Sequence, residues 1–232
     1  MSGASEAGED PAGFAARFAF GAGLLHVRSD LPEAIDGSLT PWSDRYHGLV
    51  LRVPGVRRVR RLELAGAFAG AEPDIVAEPG VLPDPARYLT LYDLKHPGIP
   101  ETAAFRAMAA TGADPGLGDG EAAGRLIARE CHRWPGVSTA RLFPAGEKLL
   151  HLAVQGDGPT VRRWLDDEAA PALLRAAGVV GVRWFDAGEG RHLILCELQG
   201  PIWPLPPGVG PGLGPAVWSA YRQQYVRQAP GE

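Results

Sequence analysis

The chain holds six histidines and five tyrosines, the side chains best suited to moving a proton near neutral pH. His26 lies in GLLHV (Gly23 to Val27) and His151 in KLLHL (Lys148 to Leu152), two aliphatic segments of one pattern. His47 closes the stretch WSDRYH that starts at Trp42, and His192 follows Arg191 at the head of RHLILCEL. Tyr88 and Tyr92 stand four apart in YLTLYDL, and Arg57 to Arg61 read R-R-V-R-R. An imidazole among these groups can remove an acidic C–H or phenolic proton, and a tyrosine or guanidinium can steady the resulting anion. The expected roles are His26 or His47 as base, Tyr92 as donor, and Arg60 or Arg87 as charge stabiliser. Trp42, Tyr46, Tyr88, His151, Trp184, His192 and Cys196 are expected to contact the substrate.

Each assignment has a plainer alternative. His26 and His151 can be core histidines donating to backbone carbonyls. The Trp42–Tyr46 stripe can be helix-to-sheet core. The R-R-V-R-R run alternates between two faces, so it is no single basic patch, yet one arginine per face could anchor a carboxylate or enolate. Asp166-Asp167-Glu168 reads as the exposed side of a helix. Cys131 and Cys196 read as small buried residues.

No local motif supplies a metal or nucleotide site. There is no H-E-x-x-H, no paired C-x-x-C, no recognisable 2-His-1-carboxylate spacing and no Walker loop. Gly208 to Gly214 (GVGPGLG) lacks a preceding strand and a lysine, so it reads as a linker. No cofactor is expected, although scattered histidines can still converge in space.

Composition narrows the classes. The 232 residues include 45% hydrophobic and 22% charged residues, enough to bury a core. A net charge of −4 argues against a phosphate-backbone binder, so no nucleic acid partner is expected. The apolar runs are too short to span a bilayer, and the acidic start lacks the basic n-region of a signal peptide. Two cysteines make no disulfide framework. These features lead us to expect a cytoplasmic protein with no membrane partner, acting on a small molecule as a monomer or homodimer.

The elements that must position these residues repeat along the chain. Besides the two histidine segments, RYLTLYDLKHPGIP from Arg87 answers to RHLILCELQGPIWP from Arg191. Between them lie helical patterns containing Trp42 or Trp164 and ending near Gly55 or Gly178. Self-similarity of this length means two copies of one supersecondary unit. The expected organisation is a loose head over 1–20, a first unit over 21–146 with an extra helix, and a second over 147–232. Strands are expected at 24–30, 56–64, 87–94, 137–143, 149–154, 179–185 and 192–198. Helices are expected from Pro41 to Gly55 and over 100–111, 121–134, 160–177 and 216–227; 66–86 and 200–214 read as loops. The fold class is α+β.

The order β-α-β-β-α-β is ferredoxin-like. Trp42 to Arg61, with W-x-x-x-Y-H, then P-G-V, then an arginine-rich strand, resembles the EthD-type branch of the dimeric α/β-barrel superfamily. The resemblance implies two ferredoxin-like units in tandem forming an intramolecular dimeric α/β-barrel. It also implies a cofactor-independent enzyme that oxygenates, cyclises or isomerises an aromatic or polyketide-like molecule. A haem- or metal-dependent relative, with His151 or His192 as the ligand, and a non-catalytic binding or stress protein are the alternatives. Ala169 stands where His47 stands in the first unit, so only one half keeps that histidine. Strand alternation is expected to put Leu25, Val27, Leu89, Leu91, Leu193 and Leu195 under helices. His26, Tyr88, Tyr92, His151, His192, Ile194 and Cys196 would then point into the barrel.

Overall fold

Period-2 alternation with both faces apolar marks strands buried on both sides, and the computed structural model turns this pattern into a ring of eight antiparallel strands. The model describes residues 23–30, 45–69, 87–111, 125–133, 148–176, 178–188, 190–199 and 216–229. In chain order the first elements are β1 (Gly23–Asp30), a helix α1 over 45–50, β2 (Val56–Ala69) and β3 (Tyr88–Leu94). A 3₁₀ turn (Ile99–Glu101), α2 (Ala103–Thr111) and β4 (Arg125–Arg133) follow. Next come β5 (Lys148–Gln155) and α3, which joins Gly158–Trp164, a π-helical turn Leu165–Ala169 and Ala170–Arg175. The last strands are β6 (Val179–Gly188), β7 (Arg191–Leu198) and β8 (Ala216–Gln228).

Around the barrel the strands run β1-β3-β2-β8-β5-β7-β6-β4, and β4 closes onto β1. Cut at the β2–β8 and β4–β6 seams, the ring falls into β4-β1-β3-β2 and β8-β5-β7-β6, the ferredoxin-like order twice. The α+β class that the element order predicts and the barrel that the resemblance implies are both present. The two seams differ: β2 and β8 pair from Arg58↔Gln228 to Ala69↔Val217, whereas β4 and β6 meet at Arg133↔Asp186.

Counterpart details recur in both halves. Pro54-Gly55 stops α1 as its sequence predicts, and Gly55 has φ +91°, a region that favours glycine. Gly178 has φ +88° before β6. The carbonyl of each accepts a 2.7 Å hydrogen bond just past the adjoining strand, from Lys95 N–H and Gln199 N–H respectively. The start of α3 is fixed by Asp157, whose carboxylate accepts from Thr160 N–H at 3.2 Å.

Three elements depart from expectation. Residues 125–133 form a strand where a helix over 121–134 was expected. Alanine and arginine favour helix locally, but the ladder from β1 prevails, with His26 opposite Glu130. Residues 216–228 also form a strand. Val217, Trp218, Tyr221 and Tyr225 suit a helical stripe, yet the gap between β2 and β5 demands a strand with β-formers. Residues 66–69 extend β2 into the expected loop. The expected head, the strand at 137–143 and the loop over 200–214 lie outside the described residues.

Three apolar clusters build the core. One fills the barrel with Leu24, Leu62, Leu89, Leu91, Leu149, Phe185, Leu193, Leu195 and Tyr221. The other two lie between the barrel wall and its helices: Leu25, Val59, Tyr92 and Leu94 under α1 and α2, and Leu150, Trp184, Ile194 and Cys196 under α3. The expected facing is thus right for β1 and β5 but reversed for β3 and β7. Both faces of these strands are buried, so the aliphatic set is no guide to the helix side. Here the purely aliphatic set lines the barrel.

Candidate active site

The sequence-predicted residues separate into three places. His26, His151 and Arg60 lie inside the barrel. His26 and His151 approach Nε2 to Nε2 at 3.0 Å, with ring centroids 4.9 Å apart and planes 17° from parallel. Tyr221 stands edge-on to His151 at 6.0 Å. Beyond them runs a buried ion network. Arg60 donates to Glu197 at 2.5 Å and Arg183 to Asp93 at 2.6 Å, while Arg58 also holds Asp93 at 2.7 Å and Arg183 reaches Glu197 at 3.3 Å. Burial alone would raise the pKa of both carboxyls. For Asp93, Arg58 and Arg183 overcome it, and for Glu197, Arg60 and Arg183 do, so both stay below their ordinary range. Arg60 is therefore an internal strut between β2 and β7, and Gln223 accepts from its Nε at 2.9 Å.

Trp184, His192 and Cys196 lie on the α3 side of the second half. Trp184 Nε1–H donates to His192 Nδ1 at 3.3 Å, which assigns His192 Nε2–H as donor to the Gly156 carbonyl at 3.0 Å. Both ring nitrogens are thus engaged, as in a core histidine. Cys196 is fully buried, and burial together with Glu197 pushes its thiol pKa up, so it stays protonated. The counterpart of His47 here, Ala169, is packed in the same apolar cluster.

His47, Tyr46, Tyr88, Tyr92 and Arg87 gather on the helix side of the first half; Trp42 lies outside the described residues. α1 carries His47 down onto the wall, where it is 3% exposed and meets the Tyr92 ring edge-on at 5.7 Å. Tyr46 adjoins it at 5.9 Å. Burial, then Arg61, then Arg227 lower the His47 pKa from 6.5 to about 3, so the imidazole is neutral over the physiological range. Arg61 stacks over the Tyr88 ring at 4.6 Å and Arg87 lies over it at 5.1 Å.

Sequence reading missed Arg61 and Arg227. The alternation of R-R-V-R-R already implied one arginine on the helix side, since Arg60 and Leu62 face the barrel and Val59 faces the helices. The reversed facing of β3 concealed which one it is. Arg227 was read as part of a helix, and as a strand residue it pairs with Val59. Among the described residues no group of three His, Cys, Asp or Glu is placed to hold a metal ion, and no helix is long and apolar enough to cross a membrane.

No protein-family model and no curated protein matches the chain. Solved structures do. A protein from Fusobacterium nucleatum subsp. nucleatum whose name proposes a monooxygenase superposes with TM-score 0.51 at 7% identity, over 92% of this chain and 97% of that one. An anthrone oxidase-like protein does so with TM-score 0.51 at 9% identity, over 90% of this chain and 93% of that one. At such identities the likeness is one of fold. In fold, the chain is similar to proteins that carry monooxygenase and anthrone oxidase-like names.

Proposed function

We propose that the protein is a small-molecule oxygenase that needs no resident cofactor and works on the helix side of its first half. One observation carries this reading: His47, Tyr92 and Arg61 share a buried face in one half, whereas Ala169 and Cys196, the counterparts of His47 and Tyr92, are buried in apolar core. The EthD-like stretch from Trp42 to Arg61 supplies both His47 and Arg61, which supports the assignment.

The substrate is an aromatic or polyketide-like compound with an acidic methylene or phenol. Neutral His47 takes the proton. A base of low proton affinity is effective only where the new anion is held, and the arginines that depress His47 provide that field. The electron pair left on carbon passes to dioxygen, forming a C–O bond, and imidazolium returns its proton to the resulting peroxide anion, giving the hydroperoxide. Loss of water from the CH–OOH group leaves a carbonyl. In total one methylene and one O₂ give one ketone and one water. The same proton abstraction without oxygen would serve a cyclase or isomerase.

Oxygen uptake by chelator-treated, flavin-free protein on a panel of phenols and activated aromatic methylenes, anthrone included, tests the proposal. One O₂ consumed per ketone formed is the expected result. Turnover without oxygen uptake, or uptake only after adding metal or flavin, would overturn it.

A further inference from the structure

A buried guanidinium normally has a carboxylate beside it, because an uncompensated charge removed from water is strongly unfavourable. Arg58, Arg60 and Arg183 obey this rule inside the barrel. Arg61 does not. It is 6% exposed, its Nε is buried with no hydrogen-bond partner, and among the described residues no carboxylate pairs with it. Glu63, two positions on along β2, is engaged by Arg87 at 3.5 Å and by Gln224 at 3.2 Å. The contact that Arg61 does make is with the Tyr88 face.

We propose that Arg61 anchors an anionic oxygen that the substrate already carries before reaction, a carboxylate or an ionised phenol on a ring lying beside Tyr88. This rests on reading the His47 face as the site and names the class of molecule it takes. A ground-state anion follows from the resting structure, where Arg61 is desolvated before any chemistry has made an enolate. Arg87, 36% exposed over the same ring, places the stack at the protein surface. Among the described residues, the groups facing His47 include Tyr46 on α1, Arg61 on β2, Tyr92 on β3 and Arg227 on β8. Neutralising Arg61 with a bound anion removes one of the two positive fields on His47 and raises its proton affinity. By linkage, protonating His47 tightens the anion equally.

The test uses the full chain with benzoate, 4-nitrophenolate and neutral benzamide as probes. Binding is followed by calorimetry and the His47 ring by NMR titration. At least one anion is expected to bind about tenfold or more tighter than benzamide, to lose that margin in Arg61→Gln, and to move the His47 midpoint upward in the wild type alone. Benzoate and 4-nitrophenolate distinguish carboxylate from phenolate. Benzamide binding as well as both anions, or Arg61→Gln leaving anion affinity unchanged, would overturn the anchor. Arg61→Lys, which keeps the charge, should retain part of the affinity and guards against a folding defect in Arg61→Gln. Anion binding without oxygen uptake on any substrate would keep the anchor and reject the oxygenase.

Discussion

His26 and His151, counterparts 125 positions apart, face each other Nε2 to Nε2 at 3.0 Å in the centre of the barrel. At that separation one nitrogen must donate and the other accept, so the contact holds a single proton. The ion pairs obey the same exchange. Arg60 of β2 reaches Glu197 of β7, and Arg183 of β6 reaches Asp93 of β3, the counterpart of Glu197. Each half thus lends a cation to the other. These reciprocal contacts tie the halves together inside the barrel, away from the face where His47 stands.

Two arginines should answer oppositely to the same substitution. Arg183→Met takes from Asp93 and Glu197 one of the two arginines that hold each inside the barrel and should destabilise by about 3–5 kcal/mol. Arg61→Met removes a charge that no carboxylate among the described residues pairs with, and should leave the protein as stable or about 1 kcal/mol more so, cation–π loss partly offsetting the gain. Denaturant unfolding of both variants decides this, and equal destabilisation would contradict the different partners described here.

Acid should weaken the fold through His47. Its folded pKa is about 3 against 6.5 unfolded, so the unfolded chain binds a proton that the folded one refuses. Stability is therefore full above pH 6.5 and falls by about 1.4 kcal/mol per pH unit for each such proton as pH drops towards 3. In His47→Gln the slope of stability against pH between 6 and 5 should decrease by about one proton. An unchanged slope would show His47 charged in the fold.

Tyr92→Phe keeps the ring that packs on His47 and removes the hydroxyl. It should fold normally and lower kcat about 10- to 100-fold if the phenol steadies the anion. Steady-state kinetics with thermal melting separates this from a packing loss, and an unaltered kcat would leave Tyr92 as core alone.

Gly23 at the start of β1 passes so close to the next segment that a Cβ would lie 2.6 Å from Pro97 N and 2.8 Å from the His96 carbonyl carbon. Backbone cannot yield as a side chain does, so Gly23→Ala should destabilise by about 1–3 kcal/mol. A melting temperature matching wild type would show that the contact relaxes.

Most strands were legible because each is short, alternating and bounded by glycine or proline, and the repeated histidine segments mark the two strands whose histidines meet inside the barrel. β4 and β8 were not, since their local composition suits helix and only the neighbours β1, β2 and β5 make them strands. The site was half legible. His47 and Tyr92 were visible as residues, but the face they share depended on which side of β3 the barrel occupies. A strand buried on both sides conceals that. The same ambiguity separates Arg60 from Arg61: one position along a strand exchanges an internal strut for a group beside His47.

The central claim is that proton abstraction belongs to His47 on the helix side and not to the histidines inside the barrel. Oxygen uptake by His47→Gln and His151→Gln, measured beside the wild type on one substrate, tests it most directly. The account predicts a loss of about a hundredfold or more in His47→Gln and rates within a few-fold of wild type in His151→Gln, where the amide can still hydrogen-bond to His26. Full activity in His47→Gln, or a loss confined to His151→Gln, would contradict it and move the chemistry into the barrel.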